Sequence, residues 1–263
     1  MLHTETGGQG PELVLVHGWG MHGGLLAGLA RRLAERFRVT RVDLPGHGHS
    51  PPRLAADTDG LAIDAWLAAL LQVVPERAIW VGWSLGGLIG LRAAAQVPRR
   101  VHRLVLLASS PRFVQAADWP DAVEPGVFDA FARQLADDAA RTQGRFLALQ
   151  VRGVDRGGDL LRRLRRELAA RPQPQLWALA AGLDILRETD LRAVPATSPV
   201  PVSAVLGERD TLVPATLAGL PGLVSAHVIE GAGHAPFLSH EADCADAICR
   251  QLMSPPRAGE RHV

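Results

Sequence analysis

The feature that most restricts the fold is a rhythm of short apolar runs alternating with longer helical stretches across the first 111 residues. Leu13-Val14-Leu15-Val16 and the stretches 37–42, 78–82 and 104–108 have the length and apolarity of strands. Between them, 24–36 repeats Leu25, Leu29 and Leu33 at helical spacing, and 59–73 repeats Leu61, Ala65, Ala68 and Leu71. The stretch 85–96 reads as a third helix. Continuously apolar strands separated by helices call for a mostly parallel sheet covered on both faces. The rhythm stops after Ser109-Ser110-Pro111. From 112 to 192 the apolar residues Phe128, Phe131, Leu160, Leu164, Leu176, Leu179 and Leu183 keep helical spacing only. Pro195, Pro199 and Pro201 lead back to two more strands at 202–206 and 225–229 and a helix at 242–253. The expected organisation is a core of 1–111 and 193–263 interrupted by a helical cap of 112–192. The polar tail 254–263 is expected to fray.

Within this frame, Gly82-Trp83-Ser84-Leu85-Gly86 follows a strand and opens a helix. That is the setting of a nucleophile elbow, a tight turn that lifts a serine hydroxyl above the sheet edge. Small residues at Gly82 and Gly86 let strand and helix approach, and Gly87 adds room. A helix N-cap serine would not need glycines on both sides. A hydroxyl nucleophile needs a base, and the base an orienting carboxylate. Asp210, after the strand 202–206, and His234, after the strand 225–229, follow Ser84 in the acid-then-histidine order of this architecture. Both sit beyond strand C-termini, where open parallel sheets place their sites. Glu208 and Asp190 are weaker acids in this reading, and His227 and His240 weaker bases. Two backbone N–H groups suit an oxyanion hole: Leu85, after the nucleophile, and Trp19, in the loop His17-Gly18-Trp19-Gly20.

Composition narrows the chemistry further. All 28 basic residues are Arg, so a Schiff-base lysine and a phosphate-loop lysine are excluded. Tyr and Asn are absent too. With 27 acidic residues the formal charge is +1, which argues against a general nucleic-acid or membrane-surface binder. No uncharged apolar window reaches the length of a spanning helix, and 1–10 has no apolar signal core. A cytoplasmic monomer is expected. Cys244 and Cys249 lie five apart in one helix, without metal-motif spacing. His17, His22, His47 and His49 likewise form no recognised ligand set. No metal or cofactor is expected.

The chain resembles the α/β-hydrolase superfamily, and within it the pimeloyl-[acyl-carrier protein] methyl ester esterases of biotin synthesis. The resemblance rests on His17-Gly18-Trp19-Gly20, Asp43-Leu44-Pro45-Gly46-His47-Gly48, and Trp80 through Leu88 around the elbow. It continues in Ala108-Ser109-Ser110-Pro111, Arg145-Phe146-Leu147-Ala148-Leu149-Gln150 and Gly231 through Phe237. It implies a triad of Ser84, Asp210 and His234, with substrate contacts from Trp19, Ser84, Leu85, Phe146, Leu147, Ala148, Leu149, Gln150 and His234. The short N-terminus implies that an initial antiparallel strand is brief or absent.

From 141 to 171 nine Arg face only Asp155, Asp159 and Glu167, a local charge of +6. Arg141, Arg145, Arg152, Arg156, Arg162 and Arg163 are therefore expected to dock an acidic acyl-carrier protein, unless they are only a solvated face. Phe146, Leu147 and Leu149 are expected to line an acyl channel, with some of them serving the cap core. The same motifs are compatible with a broad short-chain carboxylesterase or thioesterase, or with a C–C bond hydrolase. Loss of a triad position would mark a non-enzymatic binding module, and none is lost.

Overall fold

The computed structural model describes residues 1–51 and 62–253. The expectations for 59–61 and for the tail 254–263 lie outside the described residues. Seven strands form one sheet in the order β1-β3-β2-β4-β5-β6-β7. They are β1 (Thr4–Gly7), β2 (Glu12–Val16), β3 (Arg38–Val42), β4 (Ala78–Trp83), β5 (Val101–Leu107), β6 (Val202–Gly207) and β7 (Leu223–Ile229). Every pairing is parallel except that of β1 with β3. The antiparallel first strand is thus present and brief. Its Thr-Glu-Thr-Gly sequence suits an edge position, where only one neighbour is available.

Side chains alternate across the sheet with the period of two that strands impose. Val14, Val16, Trp80, Leu104, Leu106 and Val202 enter one buried cluster. There they meet α2 (Ala62–Leu71) and α3 (Leu85–Gln96). Leu13, Leu15, Ile79, Val81, Trp83 and Val105 enter the other. That face is covered by α1 (Ala27–Leu33) and α10 (Glu241–Met253). Every residue of β4 is buried, which explains its unbroken apolar run. Each fully buried Leu or Val contributes about 1.5–3 kcal/mol.

The stretch 24–36 is a 3-10 turn, Gly23–Leu26, followed by the seven residues of α1, so the single expected helix is split. Between β5 and β6 the chain forms α4 (Pro125–Asp137), α5 (Ala139–Gln150), α6 (Gly157–Leu168) and α7 (Leu176–Glu188). A short α8 (Val194–Thr197) then leads into β6, and α9 (Pro236–Ser239) precedes α10. Arg171, between α6 and α7, reaches back to the core. Its Nη1 lies 2.8 Å from Asp43 Oδ2 and its Nη2 2.7 Å from Glu5 Oε1. Arg171 is therefore spent on this internal tie rather than on surface charge. No described helix is long and apolar enough to cross a membrane.

Candidate active site

The sheet order reverses direction between β2 and β4, and ligand sites of open sheets lie at such switch points. Ser84 leaves the end of β4 at φ 53° and ψ −118°, a backbone conformation that costs about 1–3 kcal/mol for a residue with a side chain. The turn is held by contacts that only glycine allows. A Cβ on Gly82 would overlap the carbonyl of Gly86, and one on Gly86 would overlap the carbonyl of Val16. The Ser84 N–H donates to Leu107 O at 3.0 Å.

Asp210 and His234 meet because Gly207, at the end of β6, leaves no side chain against the carbonyls of Ala232 and Gly233. Arg209 N–H then donates to Ala232 O at 2.8 Å, tying the two loops together. The His234 Nδ1–H lies 2.7 Å from Asp210 Oδ2, with both side chains fully buried. Asp210 Oδ1 accepts from the N–H groups of Leu212 and Val213 at 2.8 and 3.0 Å. Both carboxylate oxygens are therefore committed, which fixes the carboxylate plane and the imidazole tautomer. His234 Nε2 is buried and has no hydrogen-bond partner among the described residues. No hydrogen bond joins it to Ser84 Oγ.

The alternative acids are occupied elsewhere. Glu208 Oε2 accepts from Gly231 N–H at 2.9 Å on the surface. Burial opposes ionisation of Asp190, but hydrogen bonds from Arg192 and Arg112 hold its pKa down to about 2. His240 Nδ1 meets Ser239 Oγ at 2.9 Å, and His227 lies within β7.

Leu85 opens α3, so its N–H has no carbonyl four residues back inside the helix. Neither it nor the Trp19 N–H takes part in a turn or loop backbone bond among the described residues. The Trp19 ring is buried against α5 and α7. Its Nε1–H donates to Leu179 O at 2.8 Å, and Phe146 meets it edge to face at 4.8 Å. Gln143 Nε2–H donates to Gly20 O at 2.6 Å, so α5 and α7 both grip this loop.

The helix α5 spreads its residues over several surroundings. Leu147 joins the buried cluster of Leu160, Leu164 and Leu168, while Ala148 is exposed and Leu149 half-buried. Gln150 is fully buried, and neither polar atom of its side chain has a partner among the described residues. Its carbonyl lies close to Gly233, which precedes His234.

The arginines are also divided. Arg141 and Arg152 are exposed, with no side-chain partner among the described residues. Arg145 binds Gln134, and Arg156 and Arg162 share Asp159. Arg163 binds Glu167 at 2.8 Å and Leu238 O at 3.0 Å, which ties α6 to α9.

The histidines near the first loops act as polar joints. His17 Nδ1–H donates to Gly18 O at 2.8 Å, and its Nε2 accepts from Leu44 N–H at 2.9 Å, bridging the loops after β2 and β3. Burial lowers its pKa to about 3, and that of His47 to about 4. Sequence reasoning missed one contact at the site. Trp83 Nε1–H donates to His234 O at 2.8 Å while its ring packs on Phe237. The elbow motif flags position 83, but no local signal points to a partner 151 residues away.

An alpha/beta hydrolase fold family model matches residues 11–241. The pimeloyl-[acyl-carrier protein] methyl ester esterase of Methylococcus capsulatus is 48% identical over 258 residues, covering 96% of this chain and 99% of that protein. The esterase of the same name from Stenotrophomonas maltophilia is 45% identical over 265 residues, covering 98% and 100%. Among solved structures, an esterase from Exiguobacterium antarcticum superposes with a TM-score of 0.82 at 20% identity, covering 96% of each chain. A bromoperoxidase from Bacillus anthracis gives the same TM-score and identity, covering 96% of this chain and 95% of its own. These two likenesses speak to the fold alone.

Proposed function

The chain belongs to the α/β-hydrolase fold family, and on that premise we propose that it is a serine carboxylesterase cleaving the methyl ester of pimeloyl-acyl-carrier protein in biotin synthesis. The observation that carries the substrate is the likeness, at 45–48% identity over nearly the whole length, to esterases of that name. The geometry supports the chemistry. Ser84 is the nucleophile, His234 the base and acid, and Asp210 the group that orients the imidazole.

Asp210 holds the proton on Nδ1, which leaves the lone pair of Nε2 to accept the Ser84 proton as Oγ attacks the ester carbonyl carbon. The carbonyl π-bond opens, and its oxygen carries the charge. The N–H groups of Trp19 and Leu85 stabilise that oxyanion. The carbon–methoxy bond then breaks, and the proton on Nε2 passes to the departing oxygen, giving methanol. Water, deprotonated by the same nitrogen, attacks the acyl-serine, frees the distal carboxylate and restores Ser84.

The helices between 112 and 192 form the cap. Phe146, with Trp19 beneath it, lines the acyl channel. Arg141, Arg145, Arg152, Arg156 and Arg162 offer the acidic carrier its docking face on the cap surface. Arg163 serves chiefly as a tie between α6 and α9. The enzyme acts as a monomer in the cytoplasm, with small esters as side substrates.

The test is a comparison of initial rates on pimeloyl-carrier methyl ester, a short aryl ester and a dienoic ketone. The carrier ester is expected to have the highest kcat/KM. Reversing Arg145 and Arg156 to Glu should lower that value about ten-fold at low salt and leave the aryl ester unchanged. Preferential cleavage of the ketone would replace the ester reading with C–C bond hydrolysis. Equal loss on both esters would point to cap misfolding, and no loss on the carrier ester would place carrier docking elsewhere.

A further inference from the structure

The residue after the left-handed step at the end of β5 has no role in the chemistry above. Ala108 sits at φ 42°, buried, with its N–H on Val205 O at 2.8 Å. This turn brings the hydroxyl of Ser109 under the elbow, where it donates to the Ser84 carbonyl at 2.6 Å. The same oxygen accepts from Gly87 N–H at 2.9 Å and Leu88 N–H at 3.3 Å. A Cβ on Gly87 would overlap Ser109 Oγ, so the third glycine of the elbow makes room for this hydroxyl.

We propose that Ser109 is a positioning residue for ester hydrolysis, whose hydroxyl fixes the Ser84–Leu85 peptide so that the Leu85 N–H is aimed at the oxyanion. The proposal rests on the reading of Ser84 as nucleophile and Leu85 as oxyanion donor. A trans peptide is planar, and its C=O and N–H point in opposite directions. Anchoring the Ser84 oxygen from behind therefore sets the direction of the Leu85 N–H in front. Accepting a hydrogen bond at the oxygen also polarises the N–H of the same peptide and strengthens its donation. Helix bonds alone hold this oxygen from the α3 side. Ser109 is the tie from the sheet, and it keeps the peptide from rocking about its two flanking bonds.

Ser109→Ala keeps the Cβ and deletes the donor. It should lower kcat about ten-fold with KM held within about two-fold, below the loss from deleting an oxyanion donor outright. Affinity for an aryl boronic acid, which forms a tetrahedral anion on Ser84, should fall by the same factor. Affinity for the product carboxylic acid should not change. Ser109→Cys, of similar volume but with a weaker donor, should fall between the native enzyme and the alanine variant. A purely structural role would reduce the fraction of active enzyme and leave kcat per phosphonate-titrated site unchanged. That result, or Ser109→Ala with kcat and boronate affinity within two-fold of native, would overturn the proposal while Ser84 still takes the phosphonate. A native enzyme that takes no phosphonate on Ser84 would instead remove the nucleophile assignment on which the proposal rests.

Discussion

Acidification from pH 7 to pH 5 should weaken the fold through two imidazoles far from any surface. His17 and His47 are fully buried, and burial lowers their pKa values from 6.5 to about 3 and about 4. His17 uses both ring nitrogens in the bonds that join the loops after β2 and β3, so a proton on Nε2 would break the bond from Leu44 N–H. His47 donates from Nδ1 to Pro45 O, and its buried Nε2 has no partner among the described residues, so a proton there would bury a charge with no acceptor. A folded pKa below the unfolded one means that the unfolded chain takes up protons first. The stability tied to neutrality is therefore complete above the unfolded value of 6.5 and is lost as pH falls below it, down to the folded values. Each group loses about 1.4 kcal/mol per pH unit inside that window, or about 2 kcal/mol by pH 5. Together they remove about 4 kcal/mol, a large share of the roughly 5–15 kcal/mol typical of a folded protein. His22, also lowered by burial, pulls the same way. Asp43 has a depressed pKa and acts only below its ordinary value of 3.8, outside the window. Urea unfolding followed by circular dichroism at pH 7, 6 and 5 measures the loss. His47→Gln, which can still donate to Pro45 O, should retain about half of it. A folding free energy that changes by less than about 1 kcal/mol between pH 7 and pH 5 would refute the reasoning.

Asp210→Asn should cut kcat by about 10⁴ through the wrong imidazole tautomer, while the folded fraction stays near native. Glu208→Gln should change turnover little, and the reverse ordering in steady-state assays would reassign the acid. Phe146→Ala removes an edge contact with Trp19 and should raise KM for a long acyl ester by about ten-fold or more, against little change for an acetyl ester. An equal rise for both chain lengths would return Phe146 to plain packing.

Much of the sheet was legible because β4 and β6, Leu13–Val16 of β2 and Leu104–Leu107 of β5 are buried on both faces and so read as mostly apolar runs, whereas His102 and Arg103 at the start of β5 are not. The edge strand β1 is half-exposed and polar, and its sequence carries little strand signal. At the other edge β7 begins at Leu223, where a register irregularity beside Val202 shifts its start ahead of the expected 225. The placement of Ser84, Asp210 and His234 just beyond strand ends is legible because each is punctuated locally by glycines after a strand. What joins them was not. The Trp83 indole bond to His234, the Arg171 tie to Asp43 and the Ser109 bond to Ser84 link residues 151, 128 and 25 positions apart. Only packing of the finished sheet sets those distances. The arginine run shows the same limit, since composition counts charges but cannot separate the exposed Arg141 from the internally paired Arg171.

The central claim is that Ser84 is the group acylated in each turnover. Intact-protein and peptide mass spectrometry after treatment with a serine-directed phosphonate ester tests it directly. One adduct per chain is expected, carried by the peptide containing Ser84, with activity lost in proportion and with Ser84→Ala both inactive and unlabelled. An adduct on any other residue, or measurable turnover of the carrier ester by Ser84→Ala, would contradict the account.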